Sequence, residues 1–251
     1  GDESGKIALE LLQKAIELDD NLLSAKNALG WAFVGDTDKA MRIASQTLMQ
    51  GEQLGDKVEI AKSLNLIGVC YRNKGDDTKA LDNYNRSIKI NEEIGNKGGM
   101  DGVLYNIGNI YKYRGEIDKA FMSYTRSFEI SEEVDDKEMM GVALNAIGGI
   151  YERKGDYEKA LDYCIHSLRV REEVGGEEVS FWNIHNSIGK INAKKGNYGE
   201  ALEYYTQSLK LQEKRGNNRN IVKILHNIGN IYQDKDDHEN AIEYLEKSLS
   251  I

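Results

Sequence analysis

The chain has 251 residues, 30% of them charged, and a net charge of −9. That length allows one large domain or two small ones. The acidic balance argues against nucleic acid, which needs a concentrated basic face, and no apolar run approaches the ~20 residues that span a bilayer, so neither is an expected partner of these residues. Proline is absent while glycine numbers 25, as expected of a helical chain whose turns and close contacts fall to glycine. The two cysteines, Cys70 and Cys164, are too few and too far apart for a disulfide framework or a zinc site. Both read as small core hydrophobes, and two reduced thiols point to the cytoplasm, or to the periplasm if a parent protein carries a signal or anchor. The opening Gly1-Asp2-Glu3 lacks a methionine, so the sequence is expected to be a piece of a longer protein.

In chain order, residues 8–18 (ALELLQKAIEL) read as one amphipathic helix, the second half of a repeat that covers about 5–20. A shorter unit follows at about 21–57, with Leu29-Gly30 and Asp38-Lys39-Ala40. Five matched units occupy about 58–97, 98–137, 138–178, 179–218 and 219–251. A glycine recurs in them at Gly68, Gly108, Gly148, Gly189 and Gly229. An alanine follows 12 residues later (Ala80, Ala120, Ala160, Ala201, Ala241) and a serine 19 later (Ser87, Ser127, Ser167, Ser208, Ser248). Self-similarity at a period near 40 marks a stacked-repeat architecture.

Each unit divides into two helices. The first carries apolar residues at helical spacing, such as Leu64, Ile67 and Tyr71. A turn comes next: Gly75-Asp76, Gly115-Glu116, Gly155-Asp156 or Gly196-Asn197. Glycine there can adopt the left-handed conformation that ends a helix, and the following Asp or Asn can cap the next one. The second helix holds the recurrent alanine and serine among large apolar residues. The expected fold is an all-α superhelix of about six hairpins plus an N-terminal half repeat, about 13 helices in one array over 1–251.

The run Leu144, Ile147-Gly148, Tyr151, Ala160 with Tyr163 resembles the tetratricopeptide repeat (TPR) over nearly the whole chain. It departs from that family in lacking the proline after the second helix and in its period of 40 rather than 34. The longer variant is similar to repeats of kinesin light chains, Pins-type polarity adaptors and bacterial peptide receptors and sensor proteins. The resemblance implies a protein- or peptide-binding scaffold, and places it as the sensory or interaction region of a larger bacterial signalling protein. Self-assembly through uncapped ends, giving a homo-oligomer, is the alternative.

First helices line the concave face of such a stack, so a protein or extended peptide is expected there. Three positions counted from the repeat glycine should face it. Three before stand Asn65, Tyr105, Asn145, Asn186 and His226; one after, Asn109, Lys190 and Asn230; four after, Arg72 and Lys112. The recurrent asparagines matter because a side-chain amide can satisfy a peptide N–H and C=O together. Asn106 and Asn227, two before the glycine, read instead as bonds between repeats. Lys62 and Lys223 stand four repeats apart, so a paired-cation grip on a terminal carboxylate is not expected.

No enzyme activity, cofactor or metal is expected. His166, His185, His226 and His238 have no i, i+4 spacing, and pairs such as Glu132-Glu133 read as solvated faces. Tyr71, Tyr111, Tyr151 and Tyr232 read as core. Because repeat arrays need atypical end units, Tyr244, Leu245 and Leu249 should lie partly exposed.

Overall fold

A computed structural model of the chain describes residues 3–175 and 181–251. Among them are thirteen α-helices and no strand. The chain divides into two compact units, Gly1–Val134 and Asp135–Ile251. The first holds α1 (Glu3–Leu18), α2 (Leu23–Ala32), α3 (Thr37–Leu54), α4 (Lys57–Asn73), α5 (Asp77–Glu93), α6 (Asp101–Tyr113) and α7 (Ile117–Glu133). The second holds α8 (Lys137–Lys154), α9 (Tyr157–Glu173), α10 (Trp182–Lys195), α11 (Tyr198–Arg215), α12 (Asn218–Asp234) and α13 (His238–Leu249). Within each unit, consecutive helices pair as hairpins and the hairpins stack. This is the all-α repeat architecture that the sequence period predicts.

The turns behave largely as their residues dictate. Gly75 and Gly155 sit at φ 79° and 80°, where a Cβ would be strained. Asp76 and Asp156 then accept from the amides of Lys79 and Lys159 at 3.1 and 3.2 Å, closing an N-cap. Glu116 and Asn197 make no such cap. Glutamate is one methylene too long for the turn, and the Asn197 amide donates instead to Asn192 Oδ1 at 3.3 Å. In the last hairpin Asp236 replaces the glycine and holds φ 58° itself.

Two contacts fasten each hairpin. The repeat glycine receives the side chain 16 residues on. A Cβ on Gly68 would lie 2.5 Å from the Tyr84 ring, and one on Gly108 2.6 Å from Tyr124. The same contact is made by Gly148 with Cys164, Gly189 with Tyr205 and Gly229 with Leu245. Helix separation is therefore set by an absent side chain. The recurrent serine ties the second helix back to the start of the first. Ser87, Ser127, Ser167 and Ser208 donate to the carbonyls of Ala61, Asp101, Gly141 and Trp182 at 2.6–2.9 Å. A buried hydroxyl needs such a partner, and the second lone pair of a helical carbonyl supplies it. In α13, Ser248 turns to its own helix and bonds Leu245.

The core of the first unit gathers Tyr84, Ile88, Val103, Leu104 and Ile107, with Tyr71 and Tyr111 at its margin. In the second unit Ile184, Ile188 and Ile191 surround Cys164, and Ile224 and Ile228 meet Tyr205. Cys70 and Cys164 are buried free thiols, as expected of small core residues. At the last hairpin Tyr244 and Leu245 are half-buried and Leu249 is exposed, as the sequence predicts.

Candidate functional site

In the first unit, four sequence-selected residues meet. Arg72 near the end of α4 and Tyr105, Asn109 and Lys112 on α6 line one cleft of about 520 Å³, together with Asp77, Ile110 and the exposed Tyr113. Arg72 and Lys112 stand at the same place in neighbouring repeats, four residues past Gly68 and Gly108. Arg72 Nη1 donates to Asn106 Oδ1 at 3.1 Å, which fixes the guanidinium without neutralising it. Asn109 Oδ1 accepts the Tyr124 hydroxyl at 2.8 Å, leaving the amide N–H₂ as its donor. The Tyr105 ring lies 5.6 Å from that of Tyr124 at an interplanar angle of 42°. Lys112 brings its ammonium within 5.3 Å of the Tyr113 ring centroid. Asp77 faces the Arg114 Nε at 3.4 Å. The cleft thus combines two cations, an amide donor and two aromatic rings with one carboxylate, Asp77, which Arg114 already faces; its cationic excess suits a carboxylate carried next to apolar groups.

Asn65 lies elsewhere. It lines a separate cleft of about 410 Å³ with Lys62, Asn91, Asn96 and Asp101. Its Oδ1 is buried without a protein partner. Asn27, the same register position one repeat earlier, is fully engaged. It donates to the Glu59 carbonyl and carboxylate at 3.1 and 2.8 Å and accepts from Ser63 at 3.0 Å.

The second unit distributes its predicted residues differently. Asn145 Oδ1 faces the Cys164 thiol at 3.5 Å, and burial pushes that thiol up to about 12, with the Glu152 charge adding to it. Asn186 Oδ1 is buried without a protein partner. His226 is exposed. Lys190 and Asn230 line a cleft of about 230 Å³ with Lys194, Tyr205, Asn227 and Asp234. Both lysines are engaged by one buried carboxylate: Glu152 Oε2 accepts from Lys190 at 3.0 Å and Oε1 accepts from Lys194. Burial raises the Glu152 carboxyl, but hydrogen bonds and charge from Lys194 and Lys190 outweigh it and leave it below the ordinary value.

The sequence places Arg72 and Lys112 at one register position of neighbouring repeats, and the structure brings both to one cleft. Lys194, which lies one residue beyond the register positions considered, is not among the sequence-selected residues. Among the described residues no three His, Cys, Asp or Glu side chains group as a metal site would, and no helix is long and apolar enough to cross a membrane.

Comparisons with known proteins agree with this architecture. A tetratricopeptide repeat family model matches residues 99–173 and 182–251, and a second matches 61–94. No curated protein matches the sequence. Among solved structures, the Cut9–Hcn1 hetero-tetramer of the APC/C is similar at TM-score 0.81 and 18% identity, over 99% of this chain and 44% of that one. A signal transduction ATPase with numerous domains (STAND) and a tetratricopeptide repeat sensor, from Pyrococcus horikoshii, is similar at TM-score 0.80 and 18% identity, over 96% and 37%. Aspartyl phosphate phosphatase F from Bacillus subtilis reaches 0.72 at 14% identity, over 91% and 59%. This chain therefore spans less than two thirds of each of those three. At such identity the likeness concerns the fold. The family models, which cover more than half of the sequence, carry the assignment: the chain belongs to the tetratricopeptide repeat family, whose repeats generally mediate protein–protein interaction and whose scaffold is generally non-catalytic.

Proposed function

We propose that this chain is a protein-interaction scaffold that holds an extended, acidic segment of a partner against the first helices of its repeats. One observation carries the reading: Arg72, Tyr105, Asn109 and Lys112 converge on a single open cleft of about 520 Å³. Arg72 accounts for the acidic preference, because a half-buried guanidinium held by a neutral amide keeps its full charge for a ligand. The fold it shares with a STAND sensor supports a place in a larger signalling protein, and the bacterial, cytoplasmic setting remains part of the same proposal.

Selection of random peptides on the full chain tests this. The expected peptides are enriched in Asp and Glu, and Arg72→Gln weakens them by about tenfold or more while the melting temperature stays within a few degrees. Peptides without acidic enrichment, or with equal affinity for Arg72→Gln, would refute it. Self-assembly has its own supporting observation, since Ile242 and Leu249 on α13 are exposed. Light scattering across a concentration series separates the two: a dimer that forms without any groove ligand favours assembly.

A further inference from the structure

Glu152 stands four residues past Gly148, the place that Arg72 and Lys112 hold in the two preceding repeats. Its chemistry is the reverse of theirs. The carboxylate is 8% exposed and each oxygen accepts from one ammonium, Lys190 on one side and Lys194 on the other. The two lysines keep about half of their side-chain surface in solvent, at 51% and 42%, and they line the cleft with Tyr205, Asn227, Asn230 and Asp234. Two ammonium groups spaced to take both oxygens of one carboxylate form an anion receptor. Here a carboxylate of the chain itself occupies it.

We propose that Glu152 is the specificity-determining residue of this second-unit cleft: it fills the Lys190–Lys194 pair from within, so the cleft rejects ligand carboxylates and accepts uncharged hydrogen-bonding groups, such as a peptide amide or an Asn or Gln side chain. Displacing Glu152 would leave a buried charge without its partners, which is strongly unfavourable, so a ligand carboxylate gains nothing by competing. Asp234, also in the lining, adds like-charge repulsion against an acid. Asn227 and Asn230 supply donors and acceptors in matched number for a neutral partner. Because Glu152 is held below the ordinary carboxylate range, the occupancy persists across neutral and mildly acidic pH.

The inference rests on reading first-helix faces as binding surfaces, but its test needs no partner. Inorganic pyrophosphate is titrated calorimetrically, at low salt, into the full chain and into Glu152→Gln. The variant is expected to bind at least about tenfold more tightly than the wild type, and Glu152→Gln/Lys190→Met/Lys194→Met to return to the wild-type affinity. Unchanged affinity in Glu152→Gln, or a gain that survives removal of both lysines, overturns the proposal. Should Glu152→Gln fail to fold, amine labelling of the wild type decides it. Pyrophosphate is expected to leave the labelling of Lys190 and Lys194 unchanged, and protection of either would overturn the inference. A peptide scaffold that binds elsewhere would fail the Arg72 test while leaving this result intact.

Discussion

The neighbouring hairpins α4–α5 and α6–α7 use the same lock and finish it differently. In each, a glycine receives a fully buried tyrosine ring, Tyr84 against Gly68 and Tyr124 against Gly108. Burial pushes both phenols above their ordinary value, so both stay protonated. The residue after the glycine then divides them. Asn109 accepts the Tyr124 hydroxyl at 2.8 Å, whereas Val69 offers no acceptor and the Tyr84 hydroxyl is buried without a protein partner. One lock is therefore a satisfied polar contact and the other carries an unmet donor. The satisfied one also turns Asn109 toward the Arg72–Lys112 cleft, so the same asparagine serves the core and the candidate binding face.

Substitutions at shared and at differing positions separate the two locks. The largest effect belongs to what the two hairpins share. Gly68→Ala and Gly108→Ala should each destabilise the chain by about 1–3 kcal/mol, since a Cβ cannot fit against either ring, even though alanine is the better helix former. Denaturant unfolding reads this, and a gain in stability for either variant would mean that the rings move aside. Next comes what separates them. Tyr124→Phe should cost about 1 kcal/mol, the net worth of a hydrogen bond. Tyr84→Phe should cost nothing or stabilise, because it removes a hydroxyl with no partner. Equal losses for the two would sink the distinction. Smallest is a turn effect in the last hairpin. Asp236→Gly should raise stability by up to about 1 kcal/mol by relieving the left-handed backbone, measured as a rise in melting temperature; a fall would show that the aspartate earns its place through its side chain.

The framework of these hairpins is legible in the sequence for a physical reason: period, turn glycine, capping aspartate and tying serine are each local and repeated. Packing partners are less so. Tyr163 aligns with the family aromatic, yet the side chain against Gly148 is Cys164, while Tyr163 stacks on Tyr151 at 5.3 Å. A one-residue step around a helix turns a side chain by about 100°, which decides between the two. The asparagines show the same limit. Asn27, Asn65 and Asn145 share one register position, yet Asn27 is consumed by Glu59 and Ser63, Asn145 faces a thiol, and Asn65 has an oxygen with no partner. Register places a side chain on a face, but its neighbours, in the next repeat for Asn27 and in its own hairpin for Asn145, determine whether it is available. Glu152 is the sharpest case, because its role depends on lysines 38 and 42 residues distant.

The proposed scaffold holds its partner on first-helix faces beside Arg72, and an acidic peptide selected on the full chain, carrying a photo-crosslinker next to its acidic residue, reports where that partner lies. Crosslinks are predicted on α6, at or beside Tyr105 and Asn109. Crosslinks confined to the second helices α5 and α7, or to the exposed face of α13, would contradict it.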